Sequence, residues 1–246
     1  MSIYCYNIRK ESVIIMENTP HQTINCIDGL ELFNTLSKMQ HELIFKLVVH
    51  RTYHEGERIY SPGEKANAIH IISRGKVRIF RLAENGREQL IRLLLPGEFT
   101  GELALFKEGV YEAYAESLET TRICMIHHDD FKELLKSYPT ISIKMLNVLA
   151  DRLSISEQQS TWMSTETSKE RLIHYLTRTA TLNHKGEYIV KLPMAKKDLA
   201  SYLGTTPETL SRQWTALKKD GVISQPSRHI VKLKSAHLTE TVCKLY

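Results

Sequence analysis

The sequence of 246 residues has little cysteine and no apolar run long enough to cross a membrane. A membrane-spanning helix needs roughly 18 consecutive apolar residues, and the first residues lack the ordered segments of a signal peptide. Only four cysteines are present, scattered along the chain rather than arranged as a disulfide framework. We therefore expect a cytoplasmic, largely reduced protein without membrane association.

Motifs of common enzyme classes are also missing. The chain has no P-loop, no HExxH sequence, no Ser/His/Asp set and no paired carboxylates in a glycine-rich context. Its eleven histidines show no spacing typical of a metal site. These absences predict a binding protein and not an enzyme.

Positive charge is concentrated towards one end of the chain. The formal net charge is +5, and from Ser164 onward 14 Lys and Arg residues stand against 7 Asp and Glu residues. The preceding residues carry 19 against 21. A basic excess on one domain is typical of a surface that binds nucleic-acid phosphates. A solvated basic face without a partner is the alternative.

Residues 196–219 predict two short helices separated by a tight turn. Apolar residues recur on one face of each helix, Gly204 suits the end of the first, and Thr206 suits the N-cap of the second. Such a helix-turn-helix unit places its second helix in the DNA major groove, whereas a purely structural hairpin is the alternative. The predicted DNA contacts are Thr206, Pro207, Glu208, Ser211, Arg212, Lys196, Lys197 and Arg228.

Short apolar segments punctuated by glycine fill residues 51–125. Polar and apolar residues alternate over residues 68–72 and 76–81, and Asn85-Gly86 marks a hairpin. This pattern predicts an antiparallel roll or sandwich. Residues 222–233 predict a further hairpin, a wing with its turn at residues 225–228.

A long helical pattern begins at Pro139 and reaches about Met163. An apolar stripe with the spacing of a two-stranded coiled coil predicts a dimer helix. Beyond the last leucine, the stripe is continued by polar Ser156. A helix that packs on its own domain is the alternative, although proteins that read two half-sites of DNA are usually dimers. The predicted dimer residues are Leu146, Leu149, Leu153 and Ser156.

With this order of elements, the chain resembles the CRP/FNR superfamily of bacterial transcription regulators from about residue 30 to residue 231. The most specific segments are residues 96–106, similar to the phosphate-binding cassette of that family, and residues 118–120 and 199–212. The resemblance implies an α+β fold in four parts. These are an N-terminal extension (1–24), a β-roll like that of cyclic-nucleotide-binding domains (25–138), a central dimerisation helix (139–164) and a winged helix-turn-helix domain (165–246).

The cassette departs from that of family members that bind cyclic AMP. In those proteins it continues to an Arg-Ser pair that holds the phosphate, whereas ungapped counting places Glu112 and Ala113 there. A carboxylate in place of the required cation repels phosphate. We therefore interpret Gly101, Glu102, Glu112 and Ala113 as a degenerate effector pocket and expect no control by cyclic AMP. A non-nucleotide effector in the roll that gates DNA binding is the alternative.

The recognition helix resembles the FNR branch, because Glu208-x-x-Ser211-Arg212 matches its pattern. That resemblance implies a homodimer on a palindrome of TTGA-type half-sites, with RNA polymerase as a further partner and activation as the outcome. It assigns Arg212 to a guanine, and Glu208 and Ser211 to neighbouring bases. Pro207 departs from the usual Val or Arg, which leaves the outermost base open.

The cysteines also bear on the branch. FNR proteins often hold an iron–sulfur cluster through four cysteines, three of them close together near the N-terminus. Here only Cys5 and Cys26 lie in that region, so we expect no cofactor. In a Gram-positive group of FNR-like proteins, one N-terminal and one internal cysteine are thought to form a reversible disulfide. Cys5 with Cys124 resembles that pair, and Cys26 is a substitute for Cys5. The alternatives are a metal or cluster site, and cysteines without redox function.

Overall fold

The computed structural model describes residues 32–103 and 109–234. Its helices are α1 (Lys38–Phe45), α2 (His128–Ser137), α3 (Pro139–Thr165), α4 (Ser168–Thr179), α5 (Lys196–Tyr202) and α6 (Pro207–Lys219). Its strands are β1 (Val48–Tyr53), β2 (Arg58–Tyr60), β3 (Ala68–Arg74), β4 (Val77–Leu82), β5 (Glu88–Leu94), β6 (Phe99–Thr100), β7 (Tyr114–Ser117), β8 (Thr121–His127), β9 (Thr181–Leu182), β10 (Tyr188–Lys191), β11 (Ile223–Ser227) and β12 (Ile230–Leu233).

The first eight strands form the predicted antiparallel roll. They make two four-stranded sheets with the strand orders β1-β8-β3-β6 and β2-β7-β4-β5. Side chains of both sheets, among them Tyr53, Ile79 and Ile123, share one buried cluster. The Asn85-Gly86 hairpin joins β4 to β5 as predicted, and the N–H of Gly86 donates to the carbonyl of Ala83 at 2.9 Å.

Helices cover the outer face of the first sheet. Phe131 of α2 and Ile141 of α3 are fully buried in one cluster with Ile69 and Ile71 of β3. The alternation predicted over residues 68–72 is therefore wrong, because all five residues are buried, facing the roll on one side and the helices on the other. Both faces of this strand are therefore buried, and His70 is the polar residue among the five.

Helices α4 to α6 and the sheet β11-β12-β10-β9 form a second core. Thr167 and Glu170 make a capping box at the start of α4, which explains why this helix begins there. Leu90 of β5 belongs to the same cluster as the buried residues of α5 and α6, so this domain packs against the edge of the roll. Within the described residues, no helix combines the length and apolar character needed to cross a bilayer.

Candidate nucleic-acid interface

Helix α6 has one buried and one exposed side. Leu210, Trp214 and Leu217 are almost completely buried in the core of the C-terminal domain. The exposed side carries, over its first turn and a half, the predicted base-reading residues Pro207, Glu208, Ser211 and Arg212. The helix is therefore held by its apolar stripe, and its polar side faces solvent.

Local capping fixes the start of this helix. The Thr206 hydroxyl accepts a hydrogen bond from the N–H of Thr209 at 3.2 Å, and Pro207 occupies the first helical position. Gly204 before it has a φ of +62°, and a Cβ there would lie 2.6 Å from Sδ of Met163. The Thr206 hydroxyl thus caps helix α6. The contact of Thr206 with DNA stays a prediction.

Two charged residues of α6 have the chemistry to read bases. Arg212 Nη2 donates to Oγ1 of Thr209 at 3.3 Å, and Arg212 forms no salt bridge within the described part of the chain. Hydrogen bonds from its own backbone N–H and from Thr206 lower the pKa of the Glu208 carboxyl, which keeps it ionised. Arg212 can therefore donate to guanine, and Glu208 can accept from cytosine.

The two lysines that begin α5 are already engaged within the protein. Lys196 Nζ lies 4.2 Å from the centre of the Trp214 ring and 3.2 Å from Oε1 of Gln225. Lys197 Nζ lies 3.6 Å from Oε2 of Glu88 in the roll. Their contact with DNA stays a prediction: Lys196 lies against the wing, and the side chain of Lys197 is 72% exposed beside the roll.

The wing is the hairpin of β11 and β12, but its turn lies further along than predicted. Strand β11 continues through Ser227, which pairs with Ile230, and the turn consists of Arg228 and His229 instead of residues 225–228. A β-bulge between Ser224 and Ser227 accommodates one extra residue in β11. Arg228 is thereby exposed at the tip of the wing.

The central helix α3 leaves several large apolar side chains uncovered. Ile143, Leu146 and Leu153 are each about 60% exposed, whereas Leu149 packs against the roll core. Ser156 is exposed further along the helix. Of the predicted stripe, Leu149 thus packs within its own chain. Leu146, Leu153 and Ser156 are exposed to solvent.

In the predicted effector pocket, Glu102 lies between two arginines. Its Oε1 accepts from Arg92 Nη2 at 2.9 Å and from Arg152 Nη1 of α3 at 3.1 Å. Gly101 has a φ of +89°, and a Cβ there would lie 2.4 Å from the carbonyl oxygen of Ala68. The turn at Gly101 therefore needs glycine, and Glu102 joins the roll to the central helix.

Of the other two pocket residues, one is exposed and the other is half-buried. We expected Glu112 in the pocket, but its side chain is exposed and Oε2 lies 2.6 Å from Arg81 Nη2. The reason is its neighbour Tyr111, which is buried in the roll and so turns Glu112 outward. Ala113 is half-buried and carries no polar side-chain atom.

Aromatic side chains fill part of the roll interior beside Glu102. The rings of Tyr60 and Tyr111 stack with centroids 3.8 Å apart. The Tyr60 hydroxyl lies 2.7 Å from Oγ1 of Thr100, and the Tyr111 hydroxyl lies 2.9 Å from Nε2 of His70. Burial lowers the pKa of His70 to about 4 and raises that of Tyr60 to about 12, so both are neutral at pH 7.

Cys124 lies on β8, opposite His50 of β1 and Ile71 of β3. It is 1% exposed and disulfide-bonded, and its Sγ lies 3.6 Å from Nδ1 of His50. Burial, and secondarily the charge of Arg122, lower the pKa of His50. Cys5 and Cys26 lie outside the described residues.

A network between the domains was not predicted from the sequence. Arg78 of β4 forms salt bridges with Glu116 at 2.7 Å, with Glu88 at 2.7 Å and with Asp198 of α5 at 3.4 Å. Ser201 of α5 accepts from the N–H of Leu90 at 2.6 Å and donates to the carbonyl of Glu88 at 2.7 Å. A sequence signal for these contacts is missing, since isolated charged and hydroxyl residues on a short helix are typical of a solvated surface.

Known proteins match both halves of the chain. Residues 50–138 match the family of cyclic nucleotide-binding domains, and residues 170–240 match Crp-like helix-turn-helix domains. The probable transcriptional regulator flp of Lacticaseibacillus casei is 33% identical over 208 residues, which is 84% of this chain and 93% of the relative. The cyclic AMP receptor protein of Thermus thermophilus is 28% identical over 214 residues, 87% and 97% of the two chains.

Solved structures agree on the fold. A mutant of CooA from Carboxydothermus hydrogenoformans has a TM-score of 0.74 and 20% identity, and the match covers 89% of this chain and 98% of that chain. The relative from L. casei is named a probable transcriptional regulator, and the one from T. thermophilus is named a receptor for cyclic AMP. From the two matched domains and the long match to flp, we conclude that the chain belongs to the CRP/FNR superfamily of transcription regulators.

Proposed function

We propose that this protein is a homodimeric, cytoplasmic regulator that binds a palindrome of TTGA-type half-sites and acts on RNA polymerase. The observation that carries this proposal is the exposed row Glu208, Ser211 and Arg212 on α6, opposite a fully buried stripe. Regulators of this family bind DNA and act as dimers. The exposed Leu146 and Leu153 on α3 supply an apolar surface for the second copy.

The experiment measures DNA binding by fluorescence anisotropy at several salt concentrations. A duplex with two inverted TTGA half-sites is compared with a scrambled duplex and with one whose half-sites are moved apart by five base pairs. We expect tighter binding to the first, because two recognition helices about 34 Å apart enter successive major grooves on one side of the DNA. Equal affinity for all three duplexes would exclude the proposed site.

Control of this regulator, in our proposal, does not come from cyclic AMP. The two positions of the phosphate-binding pair carry no cation: Glu112 faces outward and Ala113 is apolar. The stacked rings of Tyr60 and Tyr111 occupy space inside the roll. Titration calorimetry with cyclic AMP tests this, and saturable binding at micromolar concentration would contradict it.

We propose thiol redox state as the signal. Cys124 supports this as a disulfide cysteine on a strand of the roll that pairs with β1 and β3. A change there reaches α3, because Cys124 shares a buried cluster with Ile141 and Met145 of that helix. Oxidation would then alter the packing of α3 and the separation of the recognition helices.

A small-molecule effector in the roll is the second candidate. It is favoured by three buried polar atoms that have no hydrogen-bond partner among the described residues, namely Nε of Arg92, Oε2 of Glu102 and Nδ1 of His70. Such atoms inside a protein call for a partner. A ligand that raises the melting temperature of the roll and alters DNA affinity in a variant without cysteines would favour this candidate over the redox signal.

A further inference from the structure

The wing and the two helices of the DNA-binding unit meet at a single amide. Oε1 of Gln225 accepts from the indole Nε1–H of Trp214 at 3.0 Å and from Lys196 Nζ at 3.2 Å. Its Nε2 donates to the carbonyl of Arg228 at 3.1 Å. One side chain of β11 thus contacts α6, α5 and the turn of the wing.

The bulge in β11 explains how Gln225 contacts both the helices and the turn of the wing. Ile223 is buried and Ser224 exposed, so strand alternation turns Gln225 to the side of α6. Regular pairing with β12 stops after Ser224 and resumes at Ser227, with Pro226 in the interrupted stretch. Bulges re-aim side chains and bend the strand that contains them. The bend brings the Arg228 carbonyl back to the Gln225 amide.

Arg228 is the charged group that this arrangement presents. It is exposed beside a cleft of about 320 Å³ between the wing and the start of α5. Within the described residues it forms no salt bridge, whereas Lys196 in the same cleft is engaged by Gln225 and Trp214. An unpaired guanidinium next to a recognition helix fits a phosphodiester of the DNA backbone.

We propose that Gln225 is a positioning residue that fixes the wing against Trp214, so that Arg228 binds a backbone phosphate beside the half-site. This inference rests on the proposed function in DNA binding. The phosphate contact adds affinity that does not depend on base sequence, and each such contact contributes about 0.9 to the slope of log affinity against log salt concentration.

The experiment compares Q225M, R228Q and the double variant with the wild-type dimer on the TTGA palindrome and on a scrambled duplex. We expect each variant to lower the salt slope by about 2, one contact per half-site. The double variant is expected to lose no more than R228Q alone, while discrimination between the two duplexes is unchanged. S224M, on the exposed side of the same strand, is the matched control and should keep the wild-type slope.

A wild-type slope in Q225M, additive losses in the double variant, or reduced discrimination in Q225M would overturn the proposal. If Q225M abolishes cooperative thermal unfolding, Q225E replaces it, because its carboxylate keeps both acceptor contacts and lacks only the donor to Arg228. S224E is then the control, because it adds the same charge on the exposed side of the strand. The salt slopes of Q225E and S224E are judged by the same criteria. Failure of the proposed function looks different: the wild type binds both duplexes equally, and the slopes are still compared on either.

Discussion

Arg78 Nη1 lies 3.4 Å from Asp198 Oδ1, although 120 residues separate them in sequence. This charge pair joins strand β4 of the roll to the first helix of the helix-turn-helix unit. Both side chains are only 12% exposed. The DNA-binding domain is therefore attached to the roll by a partly buried ionic contact in addition to the α3 connection.

We expect Arg78→Met to lower the free energy of unfolding by about 3 kcal/mol, because Asp198, Glu116 and Glu88 all lose this cation. Urea unfolding followed by circular dichroism measures the loss. Arg81→Met is the control, since it removes an exposed pair with Glu112 and is expected to cost at most ~1 kcal/mol. Equal losses in the two variants would contradict a structural role for the Arg78 network.

Substitution of Arg212 by Ala should weaken binding to the palindrome by about 1–3 kcal/mol and relax the choice of one base pair in each half-site. Removal of the guanidinium removes a donor pair that fits guanine. Competition with duplexes altered at each half-site position identifies the relaxed base pair. Arg228→Ala serves as comparison, because the loss of a phosphate contact weakens binding to all duplexes equally. A wild-type base preference in Arg212→Ala would refute the assignment.

The exposed apolar residues of α3 predict that L146E/L153E shifts the protein to monomer. Two carboxylates in an apolar interface should raise the dimer dissociation constant at least about 100-fold, or ~3 kcal/mol. Sedimentation equilibrium measures this constant. Asn147→Glu adds a charge at an exposed polar position of the same helix and should leave the dimer intact. A dimeric double variant would place the interface elsewhere.

Thiol control predicts that DNA affinity differs between oxidising and reducing buffers by roughly 5- to 150-fold, the usual range for coupled sites. Cys124→Ser and either Cys5→Ser or Cys26→Ser should abolish the difference, whereas Cys243→Ser should retain it. Anisotropy titrations in both buffers provide the measurement. The redox proposal fails if the wild type binds equally in the two buffers.

The buried His70 predicts a loss of stability in acid. Its pKa is about 4 in the folded protein and 6.5 in its ordinary state, so the unfolded chain binds more protons between these values. Stability is therefore present above pH 6.5 and decreases as the pH falls towards 4, by roughly 3 kcal/mol at most. Urea unfolding across this range should show a shallower decrease for His70→Gln than for the wild type. The exposed His54→Gln should follow the wild type.

Local sequence signals were sufficient for the helix-turn-helix unit and for the hairpin at Asn85-Gly86. Thr206 and Pro207 act within one turn of their own helix, and Asn85-Gly86 acts within its own loop. Such features depend on near neighbours in sequence and can be read without the fold.

Contacts between distant residues could not be predicted in this way. The pairing of Arg78 with Asp198 and the outward direction of Glu112 depend on which surfaces meet after folding. The wing turn was misplaced because Gln225-Pro226-Ser227-Arg228 has turn composition, whereas the bulge keeps Gln225 to Ser227 within β11. In each case the observed structure depends on tertiary packing, which overrides the preference of the local sequence.

Strand β5 lies at the edge of its sheet, and Ser201 hydrogen-bonds to its outward N–H and carbonyl groups at Leu90 and Glu88. The DNA-binding domain thus covers an edge that would otherwise be open to pairing with another chain. A truncated protein that ends with α3 would expose this edge together with Leu90. Such a fragment is expected to self-associate through β5, so the oligomeric state of the isolated sensor domain is a poor guide to that of the whole regulator.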